Sequence, residues 1–351
     1  RQHFETFVAT YPASARLPEA VYWIGWTHVQ EGNSEKAKAI YWDTIEKYGD
    51  DPGYTTMTDL LSGLSKVYLP DSETGREDLL TKLQILKGRA AAEKKNTLAL
   101  RAGWAKSLVQ DSKGIMTART ELLDVAKWVD PKIHDPAITV AVAEAMLESG
   151  NTRTAKTLFT EIRKWHPRAV VRDRIYRSLG DIAVSEGETE KAIEFYKRFE
   201  REASASIHLG EVRLKMAELY GTAGKSREAR ETLEATLETA GVTSAIKAEV
   251  LLRLGQSHVE DNDDKKAIVY FERLYVAYGK FGELNAKAYW ARGQSLEKLK
   301  LDREALETYE ELVNRDDLKR FEEADKAGKR IVALRRTLPS EPVEEKKEAA
   351  L

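Results

Sequence analysis

One outline recurs along this chain and limits what it can fold into: a small turn residue, a capping-type residue, an alanine, and a large apolar residue four positions later. It reads "EGETEKAIEFYKRF" from Glu186, "EGNSEKAKAIYWDT" from Glu31, "SGNTRTAKTLFTEI" from Ser149, "AGKSREARETLEAT" from Ala223, "DNDDKKAIVYFERL" from Asp261 and "LKLDREALETYEEL" from Leu299. The marker alanines are Ala37, Ala155, Ala192, Ala229, Ala267 and Ala305, and the last five lie 37, 37, 38 and 38 residues apart. A fixed period in this range is the signature of a repeat array. The gap of 118 residues from Ala37 to Ala155 leaves room for two weaker copies.

Each copy reads as two helices. Twelve residues before each alanine stands a small residue: Gly25, Ala143, Gly180, Ala217, Gly255 or Gly293. Glycine within a helix costs about 1 kcal/mol relative to alanine, so four glycines at one equivalent position need a common cause. Close approach of two helix backbones supplies it, with the small residue of the first helix expected to face the alanine of the second. Three residues before each alanine come Ser34, Thr152, Thr189, Ser226, Asp264 and Asp302, read as N-caps of the second helix. Gly32, Gly150, Gly187 and Gly224 suit the end of the helix before it. Tyr41, Phe159, Tyr196, Leu233, Phe271 and Tyr309 fall on the alanine's face and are expected to fill the space between neighbouring hairpins. A single hairpin of this kind cannot bury its apolar face alone, so copies must stack.

Composition agrees with an array. Charged residues make up 32% of the 351 and hydrophobic residues 42%, with only 9 prolines, a helix-rich balance with enough apolar material for a continuous core. The 56 basic and 58 acidic residues give a net charge of −2, which exerts no long-range pull on nucleic acid or anionic lipid. The absence of cysteine removes disulfides and thiolate metal sites. No apolar run approaches the roughly 20 residues that span a bilayer, so no direct membrane insertion is expected of this segment.

The pattern resembles the tetratricopeptide repeat (TPR) family, whose small, alanine, aromatic and proline positions match Gly180, Ala192, Tyr196 and, in the fourth unit, Pro167. The resemblance runs over about residues 1–315. It departs from the family in two ways: the period exceeds the usual length of about 34, and a capping-type residue replaces the bulky residue three before the alanine. Longer units with "YP" ends are similar to a bacterial envelope subgroup that includes outer-membrane β-barrel assembly lipoproteins and Tol–Pal-associated TPR proteins. The resemblance implies an all-α, right-handed superhelical solenoid of about eight helical hairpins plus a C-terminal capping helix.

The array then occupies 1–317. It comprises a partial repeat over 1–13 and units over 14–52, 53–95 (irregular), 96–135 (degenerate), 136–168, 169–205, 206–243, 244–283 and 284–317. The irregular unit carries Leu64, Ser65 and Tyr68 in its first helix, then the turn "LPDSETGRED" and a second helix near Leu79–Ala92; the degenerate unit has Ala118 and Leu122 but no glycine partner. A capping helix follows over 318–338, with Leu318, Phe321, Ala324, Ala327, Ile331 and Leu334 on one stripe, and a disordered tail over 339–351. "RQHFETFVATYP" reads as the back half of a second helix, with Phe4 in the aromatic slot and Pro12 as terminator, which implies further units upstream of Arg1.

No catalytic constellation emerges, and the chain is read as non-enzymatic with no cofactor and no metal. "GTAGKS" from Gly221 lacks the first glycine of a phosphate loop and the strand before it, so it reads as an inter-helix turn. "DNDDKKAIVYFE" places Asp261, Asp263 and Glu272 at calcium-loop positions 1, 3 and 12, but Lys265 and Lys266 stand where a ligand and a glycine belong. His3, His28, His134, His166, His208 and His258 show no metal-ligand pairing, and His28 and His258 share one packing slot.

The remaining candidate is the concave face that the resemblance assigns to first-helix residues pointing away from the second helix. Carried onto this chain, these are Glu19, Tyr22, Trp26 and Gln30; Arg174, Arg177 and Asp181; Glu249 and Gln256; and Lys287, Trp290 and Gln294. Aromatic residues and arginine are the commonest interface anchors. The alternative places Trp26 against an upstream repeat and Trp290 under the capping helix. The lysine/asparagine clamp that some members use for partner C-termini is not evident. The function expected is a scaffold that binds a protein or peptide partner and no nucleic acid, in a bacterial periplasmic or cell-envelope assembly or transport complex. Three alternatives stay open: a cytoplasmic location, a regulatory region of a larger enzyme, and a self-assembling structural array. Oligomeric state is not encoded in these features.

Overall fold

A computed structural model describes residues 1–68, 73–111 and 115–338. The tail expected over 339–351 and part of the expected turn, residues 69–72, lie outside them. Among the described residues there are eighteen α-helices, one short 3-10 turn and no strand. The chain divides into two compact units that meet between Glu188 and Thr189.

The first unit holds α1 (Gln2–Thr10), α2 (Leu17–Gln30), α3 (Ser34–Tyr48), α4 (Met57–Tyr68), α5 (Glu73–Ala92), α6 (Asn96–Asp111), α7 (Ile115–Val125), α8 (Pro136–Glu148), α9 (Thr152–Trp165) and α10 (Arg172–Ser185). The second holds α11 (Thr189–Glu202), α12 (Leu209–Thr222), α13 (Ser226–Glu238), α14 (Ser244–Glu260), α15 (Asp264–Ala277), α16 (Gly282–Lys298), α17 (Asp302–Asn314) and α18 (Glu322–Thr337). Within each unit most consecutive helices pack as antiparallel neighbours. Alternate helices also touch in series, α2 through α10 in the first unit and α12 through α18 in the second, forming an inner layer.

The turns have one geometry. Gly32, Gly150, Gly187 and Gly224 are left-handed, and Asn262 and Lys300 adopt the same conformation in the equivalent turns. After each, the next amide bonds back to a carbonyl five residues earlier: Asn33 to His28, Asn151 to Met146, Glu188 to Ala183, Lys225 to Tyr220 and Asp263 to His258 at 2.8 Å, and Leu301 to Leu296 at 3.0 Å. This is Schellman closure, and it corrects the expected caps. The residue after the left-handed position becomes the N-cap, so Asn33, Asn151, Lys225, Asp263 and Leu301 cap α3, α9, α13, α15 and α17. The side chains of Asn151 and Asp263 accept the amides of Thr154 and Lys266, each at 3.3 Å. Ser34, Thr152, Ser226, Asp264 and Asp302 are instead the first helical residues.

The glycine partners are also corrected. A methyl placed on Gly25 would lie 2.1 Å from the Tyr41 ring, on Gly255 2.3 Å from Phe271, and on Gly293 2.2 Å from Tyr309. The inner helix is therefore bare where the large outer residue of its own hairpin presses in, rather than opposite the alanine. Tyr41 donates to the Tyr22 carbonyl at 2.7 Å, and Tyr309 donates to Glu297 at 2.8 Å. Gly63 does the same work in α4, facing Tyr22 and Tyr41, so Tyr41 also reaches the neighbouring hairpin. The degenerate unit, expected to lack a glycine, has Gly103, where a methyl would lie 2.3 Å from Val125.

The middle of the first unit breaks the phase. The α5–α6 turn repeats the Schellman closure, with Lys94 left-handed and the Lys95 amide bonded to Ala90 at 2.8 Å, but here it leads into an inner-layer helix. Polar groups hold this region together. Arg101, 3% exposed, donates to the carbonyls of Gly49, Asp51 and Tyr54, each at 2.8 Å. Lys87 bridges Glu121 and Asp124, while Lys106 bonds the second oxygen of Glu121 at 2.6 Å, linking α5, α6 and α7. At the other end of the chain, α18 buries Ala324, Ala327, Ile331 and Leu334 with Leu318 in a core shared with α16 and α17.

Candidate partner-binding grooves

All twelve residues expected to bind a partner sit on inner-layer helices: α2 and α10 in the first unit, α14 and α16 in the second. On α2, Glu19 accepts two bonds from Arg16, at 2.8 and 3.0 Å, and lines a cleft of about 270 Å³ with His3, Phe4 and Phe7. Tyr22 is packed: its ring stacks on Tyr41 at 6.3 Å, meets Trp23 edge-on at 5.1 Å, and its hydroxyl accepts from Lys66 at 3.0 Å. Trp26 is half-buried and Gln30 exposed. On α10, Arg174 is paired with Glu144 of α8 and lines a cleft of about 200 Å³ beside a second pair, Arg119 with Glu148. Arg177 and Asp181 are half-buried on the same helix. Glu19 and Arg174 line separate clefts.

The second unit brings its candidates together. Gln256 of α14 and Lys287, Trp290 and Gln294 of α16 line one open depression of about 630 Å³, floored by Phe271 and walled by Val259 and Ala291. Trp290 packs against Tyr309 of α17 at 5.3 Å and lines this depression. A second depression of about 350 Å³, between α12, α13 and α14, shares Gln256 and Glu260 with the first. The two adjoin at these residues of α14. Glu249 lies beside it, accepting from Arg253 at 2.9 Å.

Lys287 donates to Glu283 at 2.6 Å, and this bond holds its ammonium above the usual lysine range; Glu323 and Glu249 add to the effect. The same bond holds the Glu283 carboxyl below its usual range.

Several groove residues were missed. Glu260 and Lys298 are one turn beyond Gln256 and Gln294, so continuing each stripe by four residues reaches them. Glu323 comes from α18 and carries no periodic signal at all. In the first unit Trp23, 41% exposed and stacked with Phe4 at 6.5 Å, was also overlooked.

The histidines are engaged in packing or bonding. His258 is buried and stacks on Tyr270 at 5.3 Å, while His134 bonds Thr97 at 3.3 Å and accepts the Asp130 amide at 2.9 Å. No helix among the described residues is long and apolar enough to cross a membrane.

The architecture defines an all-α protein of stacked helical hairpins with open grooves on the inner layer. Two stretches match models of the tetratricopeptide repeat: residues 18–41, which cover α2 and the start of α3, and residues 214–280, which run from α12 to the end of α15. These stretches carry repeats of tetratricopeptide type, and the second contributes much of the groove. No curated protein matches the chain.

Among solved structures, the apo form of RapI is similar over 91% of this chain and 98% of its own, with 14% identity and a TM-score of 0.51; that likeness shows the fold. YrrB, described as a TPR protein with an unusual peptide-binding site, is similar over 60% of this chain and 98% of its own, with 15% identity and a TM-score of 0.43. Pseudomonas aeruginosa pilF is similar over 73% of this chain and 99% of its own, with 12% identity and a TM-score of 0.44.

Proposed function

We propose that this chain is a non-enzymatic scaffold that binds a protein or peptide partner along its inner helical layer. The observation that carries this reading is the second-unit groove. There Gln256, Lys287, Trp290 and Gln294, selected for their position in the repeat, line one depression that combines an indole wall, a phenylalanine floor and a polar rim. Such a mixture of aromatic anchor and hydrogen-bonding edge is what peptide recognition uses. A wall built on helices loses little freedom on binding.

The setting proposed is a bacterial cell-envelope assembly or transport complex, on the strength of the long units and "YP" repeat ends; the unit boundaries given above belong to the same proposal.

The test places a photo-crosslinking residue at Gln294 in the groove and, separately, at Val269 on the exposed face of α15 in the source cell. A partner captured from Gln294 but not from Val269, and lost with Trp290→Ala, supports the reading. Equal capture from both positions overturns it. Fractionating the same cells tests the envelope setting.

A further inference from the structure

We infer that the second-unit groove selects an extended partner segment carrying a lysine or arginine, whose cation lies at the Trp290 wall between Glu260 and Glu323. This rests on the groove reading above and gives it a chemistry.

Charge is the first argument. Three bases stand on or beside the groove and each is already engaged: Arg253 with Glu249 at 2.9 Å, Lys287 with Glu283 at 2.6 Å and Lys298 with Asp264 at 3.5 Å. Three carboxylates, Glu218, Glu260 and Glu323, line it beside these bases, and Glu218 itself lies 3.6 Å from Arg253. Glu260 and Glu323 make no ion pair among the described residues. An acidic segment would meet bases that are already paired, whereas a basic one meets Glu260 and Glu323, which make no ion pair, Glu323 acting only at longer range on Lys287 and Lys326.

The second argument is the wall. A cation over an indole face gains from the ring's quadrupole, and more when flanked by carboxylates in a partly dehydrated site. The half-buried Val259 and Ala291 suit the aliphatic stem of a long basic side chain. Ser295 lines the same depression at 1% exposure, and its hydroxyl has no hydrogen-bond partner. The second depression, which shares Gln256 and Glu260, adjoins the first where an extended chain would continue.

The experiment selects binders to the full chain from a library of random linear peptides and measures them against the wild-type protein, Trp290→Leu, the double variant Glu260→Gln/Glu323→Gln, and Lys287→Gln. The expected binders are enriched in lysine and arginine and weaken with added salt. They bind the double glutamine variant roughly tenfold more weakly, and Trp290→Leu at least as weakly. Lys287→Gln, which removes a competing cation, should tighten them.

Binders lost with Trp290→Leu but without a basic excess, or indifferent to the double variant, overturn the inference and leave the groove reading standing. Binders indifferent to Trp290→Leu overturn both, as does recovery of no binder. The two glutamine substitutions sit on exposed or half-exposed residues, so they report on the groove rather than on folding.

Discussion

A single methyl group decides how closely the two helices of a hairpin approach. Adding one at Gly293 or Gly255 would drive it to 2.2 or 2.3 Å from a fully buried ring. Overpacking of this kind costs about 1–3 kcal/mol and opposes a helix-propensity gain of about 1 kcal/mol. Gly293→Ala should therefore destabilise the chain by roughly 1–2 kcal/mol in urea unfolding. In a Tyr309→Leu background the penalty should vanish or reverse, since Ala217 and Leu233 already occupy these two positions in another hairpin. An undiminished penalty would mean that the ring is not what the glycine accommodates. Spacing exposed the small-residue position but named the wrong partner for it. The alanine and the large residue share a face one turn apart, and periodicity cannot say which of them comes nearest.

At the scale of elements, α5, α6 and α7 are joined by charge where the repeat pattern fails. Glu121 is nearly buried between Lys87 and Lys106. Glu121→Leu leaves Lys106 without a carboxylate and Lys87 with Asp124 alone, and should cost about 3 kcal/mol. Lys87→Met should cost less, because Glu121 keeps Lys106 and Asp124 keeps Lys127. Comparing the two in denaturant separates an ion cluster from simple packing.

The connection into α8 carries a pH dependence. Burial, and then Arg101, lower the pKa of His134, while Asp130 and Asp50 oppose them. With the folded pKa below the unfolded value of about 6.5, the unfolded chain binds more protons as pH falls. This contribution is therefore complete above about pH 6.5 and is lost below it. His134→Gln should flatten the stability profile of the first unit between about pH 7 and 5, read as urea midpoints across that range. None of this was legible beforehand, because charged residues abound on every helix and only the fold selects which become buried. The turns, by contrast, were legible wherever glycine marked them. Asn262, Lys300 and Lys94 hid the same geometry in residues that adopt it less readily.

At the scale of the molecule, the class of fold was readable because a repeated period survives the loss of any one copy. The candidate site was readable only as far as that period reaches: residues on α14 and α16 follow from the stripe, whereas Glu323 enters from a helix outside the repeat. The same logic governs how damage should spread. In a stack, each hairpin draws its stability from itself and its immediate neighbours, and in this chain α2 packs on α1, α3 and α4, and α16 on α14, α15, α17 and α18. Gly25→Ala should therefore raise amide exchange in α2, α3 and α4 while leaving α14 to α17 at wild-type protection. Gly293→Ala should do the reverse, loosening α16, α17 and α18 while α2 to α4 stay protected. Exchange read by mass spectrometry on both variants gives the check. A rise spread over the whole chain from either substitution would mean that the core is shared globally, and repeat-by-repeat stability would have to be abandoned for this protein.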